Sequence, residues 1–115
     1  MGFVTDNCLF CEIGAGNIPA DVVARSDRVL AFRDIAPVAP THILVIPVEH
    51  HRDVASLVDA DAALAAEVLA VAAHVGAALE GGYRVVFNTG VDGGQAVFHV
   101  HAHVLGGRQL AWPPG

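Results

Sequence analysis

The stretch "FHVHAHVLGG", residues 98–107, places histidines at every second position: His99, His101 and His103. Side chains alternate faces along a β-strand, so residues at i, i+2 and i+4 share one face. On a helix the same three would point in three directions. Val100, Ala102 and Val104 then make the opposite, apolar face, and the valine-rich context favours a strand over 97–105. Same-face imidazoles attach roughly 6–7 Å apart, given a rise of about 3.3 Å per residue. That spacing holds one metal between two rings, or lays three rings along one ligand. Histidine is neither a favoured strand former nor a favoured core residue, so three in register point to a joint task.

Outward from this strand, turn residues divide the chain into short elements. "YRVVFN" (83–88) reads as a strand and "TGVDGGQ" (89–95) as a glycine-rich turn. "DVVARS" (21–26) and "RVLAFRD" (28–34) read as strands joined tightly at Ser26–Asp27, and "HILVIP" (42–47) as a core strand closed by Pro47. The two prolines of "IAPVAPT" (35–41) make that segment a loop. A short helix over 8–14 ends at Gly14, Gly16 and Pro19. A long helix, capped by Ser56 or Asp59, runs to about Glu80 and stops at "EGG". About five strands, one long helix and one short helix predict an α+β domain with an antiparallel sheet. The long helix "DADAALAAEVLAVAAHVGAALEGG" is apolar on more than one face, so one face covers the sheet and another meets a second subunit, a homodimer being the simplest closed assembly.

The 115 residues suit one domain, with a core over about 8–105 and an irregular tail over 106–115. Hydrophobic content of 54% supplies a core, and charged content of 16% is far from a disordered composition. A net charge of −6 and the lack of a basic stripe argue against a nucleic-acid polymer, although local dipoles still admit a small anion. The apolar region 62–79 is broken by Glu67 and His74 and reads as a buried helix, not a membrane span. "MGFVTDNCLFCEIG" has no basic segment of the secretory kind, and Asp6 stands where a myristoylation signal needs Ser or Thr. The expectation is a soluble, cytoplasmic protein.

Cys8 and Cys11 form "CLFC". In a reducing compartment such a pair means redox or metal chemistry. Only seven residues precede Cys8, which leaves little room for the strand of a thioredoxin-like motif. Zinc needs two further ligands. His42 alone would read as a strand-end surface residue, and Asn88 as a turn residue.

The residues also carry a resemblance. "HVHAHVL" fits the histidine-triad pattern, "NTGVDGGQAVFHVHAHVLGGRQLAWPPG" (88–115) closely resembles the end of the histidine-triad nucleotide-binding (Hint) branch, and "VLAFRDIAPVAPTHILVIPVEH" (29–50) resembles its first half. The likeness spans roughly residues 8–115. It implies a homodimeric α+β fold, binding of purine nucleotides such as AMP, and hydrolysis of nucleoside phosphoramidates, with aminoacyl adenylates also acted on. By resemblance, the middle histidine, His101, is the nucleophile that forms a nucleotidyl-imidazole intermediate. His103 donates to the phosphate, and His99 and His42 complete the catalytic histidines. A neutral imidazole is a competent nucleophile near pH 7, and nucleotidyl transfer asks the protein mainly for positioning and charge stabilisation.

The same resemblance assigns Asp34 to the ribose hydroxyls, and Asn88, Gly94 and Gln95 to the phosphate and leaving group. Phe10, Ile13, Phe32, Ile35 and Leu44 become an apolar base pocket with loose, purine-preferring selection. Cys8, Cys11, His50 and His99 match the ligands of a structural zinc in some bacterial members, and two thiolates with two imidazoles suit tetrahedral zinc. Trp112, in "RQLAWPPG", matches a tail residue reaching toward the partner subunit's active site. One position departs: Ala96 follows "GGQ" where the branch usually has Ser. The missing hydroxyl is worth on the order of 1.5–3 kcal/mol where it bonds a charged group. Rival readings are a dinucleoside polyphosphate hydrolase and a nucleotide-binding interaction protein with incidental turnover.

Overall fold

Five runs rich in β-branched and aromatic residues form strands, and each ends where glycine, proline or a charged turn stops the ladder. They are β1 (Val22–Arg25), β2 (Val29–Arg33), β3 (Thr41–Pro47), β4 (Tyr83–Phe87) and β5 (Ala102–Gly106). The computed structural model describes residues 7–115. The expectations about secretion and myristoylation draw on residues 1–6, which lie outside the described residues. The strands make one antiparallel sheet in the order β1-β2-β3-β5-β4. With three helices, α1 (Leu9–Gly14), α2 (Val54–Ala60) and α3 (Ala62–Gly76), the fold is α+β as the sequence implies.

Alternation along the strands divides two cores. Val29, Ala31, Ile43, Val45, Ala102 and Val104 face α2 and α3 and bury Leu57, Leu64, Val68, Val71 and Ala72. Leu30, Phe32, Leu44 and Ile46 face the other side, where Phe10 and the cysteines flanking it pack. The centre of β3 is therefore buried on both faces, which explains its unbroken apolar run. His42, Leu44 and Ile46 share the α1 side, and His103 pairs with Leu44 across β3 and β5.

Two expectations about elements are corrected. The single long helix is two: Asp61 ends α2 and caps α3, accepting from Leu64 N–H at 3.0 Å and pairing with Arg28 at 2.6 Å. Asp53, not Ser56 or Asp59, caps α2, accepting from Ser56 N–H at 2.9 Å. A carboxylate that satisfies an orphan helix amide outweighs the alanine-rich tendency to continue. The histidine strand is also shorter than 97–105. It begins at Ala102, because Val100 N–H bonds the carbonyl of His51 at 2.7 Å instead of a strand partner. Among the described residues, no helix is long and apolar enough to cross a membrane.

Candidate active site

Only His103 lies on β5; His99 and His101 precede it on a non-ladder segment. Their spacing still directs His101 and His103 to one side, with ring centroids 4.8 Å apart. Both line a groove of about 570 Å³ on the α1 side of the sheet. That volume suits a small-molecule ligand.

Hydrogen bonds to backbone groups fix the histidine tautomers, because a carbonyl only accepts and an amide N–H only donates. His101 Nδ1 donates to the carbonyl of His99 at 2.9 Å, so the proton is on Nδ1 and the lone pair on Nε2. His42 Nδ1 accepts from Val38 N–H at 3.1 Å, so His42 carries its proton on Nε2. That proton faces His103 Nδ1 at 2.9 Å and Asp34 Oδ2 at 3.4 Å. His103 therefore accepts at Nδ1 and holds its own proton on Nε2. The ring protons run in one direction from His42 to His103, and His101 presents an unprotonated nitrogen. Burial pushes His101 below the ordinary imidazole range, and burial followed by His101 and His42 pushes His103 down to about 4. Both rings are neutral near pH 7.

The rest of the groove is mostly apolar. Phe10, Ile13, Phe32, Ile35 and Leu44 line it, as expected of a base pocket, although Ile35 stays 98% exposed at the rim. Asp34, Asn88 and Gly94 line it too. Asp34 Oδ1 accepts from Ala36 N–H at 2.9 Å, which fixes the carboxylate at the groove edge. The turn needs its glycines: Gly94 has φ +82°, and a Cβ on Gly93 would lie 2.2 Å from the Thr89 carbonyl oxygen. Ala96 also lines the groove, so its missing hydroxyl bears on this site.

Gln95 and Trp112 do not line the groove of this chain, and for Trp112 the expectation is the partner subunit's groove. Gln95 is buried and its amide is committed within the fold. Its oxygen accepts from Gly90 N–H, and its nitrogen donates to the carbonyls of Arg52 and Val97. Both amide donors are used within the fold, where they shape the turn. Trp112 is 80% exposed and does not line the groove of its own chain. It sits 5.8 Å from the Arg84 guanidinium, which also donates to the Ala111 carbonyl at 2.6 Å. Sequence reasoning missed Leu9, Val97 and the Asp21–Arg33 ion pair at 3.4 Å, all on the groove. Their polar or apolar character alone carried no distinguishing signal.

Beside the groove, Cys8, Cys11, His50 and His99 converge, with their ligand atoms all within 4.8 Å of one another. His99 is fully buried, and its Nε2 donates to the Pro47 carbonyl at 2.8 Å. That leaves the Nδ1 lone pair 3.4 Å from each sulfur. His50 Nδ1 lies 3.6 Å from Cys8 Sγ and 3.3 Å from Cys11 Sγ. Zinc bonds of about 2.3 Å to sulfur and 2.0–2.1 Å to nitrogen imply tetrahedral S···N edges of roughly 3.5 Å. Without a cation, burial pushes the Cys8 thiol up to about 11 and His99 down to about 4. His50 is lowered too, by burial and then by His51. Two cysteine sulfurs and two imidazole nitrogens at these spacings fit a metal such as zinc.

Comparisons with known proteins agree with this geometry. A HIT domain matches residues 15–110. An uncharacterized HIT-like protein of Synechococcus elongatus is 49% identical over 97% of this chain and 100% of its own length. The crystal structure of a HIT family hydrolase from Legionella pneumophila superposes with a TM-score of 0.89 at 51% identity, covering 95% of this chain and 100% of that one. A histidine triad nucleotide-binding protein from Candida albicans gives a TM-score of 0.76 at 30% identity, covering 85% of this chain and 73% of that one. With its domain match, its close relatives and two of its triad imidazoles on one groove, the chain belongs to the HIT family.

Proposed function

We propose that the chain hydrolyses purine nucleoside phosphoramidates, and aminoacyl adenylates of similar shape, through a nucleotidyl-His101 intermediate. The observation that carries this is the unprotonated Nε2 of His101, held on the groove by the Nδ1–H bond to the His99 carbonyl. In this reading Nε2 attacks phosphorus, the P–N bond breaks, and the amine leaves with a proton. Water then cleaves the phosphorus–imidazole bond, releasing the nucleoside monophosphate and restoring His101. His103, with its proton on Nε2, donates to the phosphate or the leaving group. His42 holds that tautomer. Asp34 takes the ribose hydroxyls, Asn88 and Gly94 the phosphate, and Phe10, Ile13, Phe32, Ile35 and Leu44 the base.

Cys8, Cys11, His50 and His99 would hold zinc, which in this position supplies a structural crosslink. The HIT family hydrolase and the nucleotide-binding neighbour support the hydrolase and nucleotide parts of the reading. The exposed Trp112 and the half-exposed Leu69 on α3 support a homodimer, and we read the protein as cytoplasmic. Ala96 favours one second reading, a nucleotide-binding protein with incidental turnover.

The deciding experiment is hydrolysis of a fluorogenic adenosine 5′-phosphoramidate by the wild-type protein and His101→Ala, with AMP binding and zinc content measured on the same samples. Turnover lost with binding kept supports the enzyme. Binding without turnover in either protein moves the second reading ahead.

A further inference from the structure

Three covalent or hydrogen-bonded links join the four-ligand cluster to the groove. The first runs through His99, whose Nδ1 faces the sulfurs while its carbonyl accepts the Nδ1–H of His101. The second runs through Phe10, between the two cysteines in sequence. Its buried ring lines the groove and meets the His101 ring edge-on at 5.0 Å. The third runs through the segment that follows His50. The His51 carbonyl bonds Val100 N–H, the Arg52 carbonyl accepts from Gln95, and Arg52 stacks 4.5 Å from the Phe98 ring. These contacts hold both ends of the segment that leads into His101.

The element carrying Phe10 has little stability of its own. α1 is six residues long, well below the length at which an isolated helix persists. Its first turn is anchored by Cys8, which accepts from Cys11 N–H at 3.2 Å, and by both cysteines facing His50 and His99. A bond from one cation to Cys8, Cys11, His50 and His99 therefore fastens the groove wall, the nucleophile's acceptor and the loop behind it at once.

We infer that metal at the Cys8–Cys11–His50–His99 cluster and nucleotide in the groove bind cooperatively, each raising the other's affinity. This rests on the zinc and nucleotide readings above. The coupling is reciprocal by thermodynamic necessity: the factor by which zinc strengthens nucleotide binding equals the factor by which nucleotide strengthens zinc binding. Zinc occupancy then sets the groove's affinity for nucleotide, and His99 acts as a positioning residue through its carbonyl.

The test uses the full chain, with AMP and zinc as probes. AMP affinity is measured on zinc-loaded protein, after chelation, and after zinc is restored. Zinc affinity is measured by chelator competition with and without saturating AMP. The expected result is a loss of AMP affinity of at least about tenfold on chelation, its recovery with zinc, and a matching gain in zinc affinity with AMP. Because the chelated chain can unfold, a second measurement keeps the protein folded throughout. Cadmium, which shares zinc's preference for thiolate and imidazole, is loaded into the cluster and its NMR resonance followed as AMP is added. A shifted resonance supports the coupling. Equal AMP affinities in folded protein with and without zinc, or a cadmium resonance unmoved by saturating AMP, overturn the coupling alone. Protein that takes up no metal, or loaded protein that binds no AMP, overturns the reading beneath it as well.

Discussion

His101 Nδ1 donates to the backbone carbonyl of His99 across 2.9 Å. One residue thus presents a side chain to the cysteine cluster and a main-chain oxygen to the neighbouring imidazole. The bond selects a tautomer, and the tautomer leaves Nε2 as the nitrogen with a lone pair. In solution, nitrogen chemical shifts should report the His101 proton on Nδ1. A ring protonated on Nε2 would sink the assignment, whatever the activity.

His42 should matter through its neighbours. It is buried, accepts from Val38 N–H and meets His103 Nδ1 at 2.9 Å. His42→Ala leaves an amide donor and an imidazole nitrogen without partners. An unsatisfied buried donor costs about 1–3 kcal/mol, which denaturant unfolding will read. Loss of the fixed His103 orientation should lower turnover about a hundredfold. Unchanged stability and unchanged turnover together would remove His42 from the machinery.

The parts of this fold that were legible in the sequence are those set by local pattern. The apolar runs in 28–34 and 42–47 mark core strands, and the i, i+2 spacing of His101 and His103 survives as a shared groove. The parts that were not legible depend on distant partners. Gln95 reads as a free amide beside two glycines, yet its acceptor is the Arg52 carbonyl, 43 residues away. Val100 reads as mid-strand, yet its amide answers to His51. Ser56 and Asp59 read as the candidate caps, yet Asp61 in the same alanine-rich run caps α3 and pairs with Arg28 on the β-hairpin. Asp61→Ala should therefore lower the melting temperature more than Asp59→Ala, and equal effects would remove the helix break from the account.

His103 gives the pH dependence a sign. Burial, then His101 and His42, hold its pKa at about 4, while Asp34 pulls it upward. An unfolded imidazole titrates near 6.5. Between those values the unfolded chain binds the extra proton, so stability falls as pH falls. This contribution is complete above about 6.5 and is lost as pH drops through about 4. Ring-proton NMR should show His103 neutral through pH 6, and acid destabilisation should be shallower in His103→Gln than in the wild type. A His103 ring titrating at or above the ordinary value would contradict the burial seen here.

Ala96 offers a gain-of-function test. It lines the groove next to His101 and His103, and it follows the turn whose glycines cannot take a larger side chain. A serine there adds one hydroxyl with no change of backbone demand. A hydrogen bond to a charged phosphate oxygen is worth about 1.5–3 kcal/mol, and the lower figure corresponds to about tenfold. Ala96→Ser should therefore raise kcat/KM for an adenosine phosphoramidate at least about tenfold. The way the gain divides carries the mechanism. A lower KM at constant kcat means the hydroxyl binds ground state and transition state alike, whereas a higher kcat means it meets charge that develops during transfer. If neither changes while AMP still binds in the groove, the phosphate does not approach residue 96, and the placement of the reacting group beside Gly94 and Asn88 is wrong.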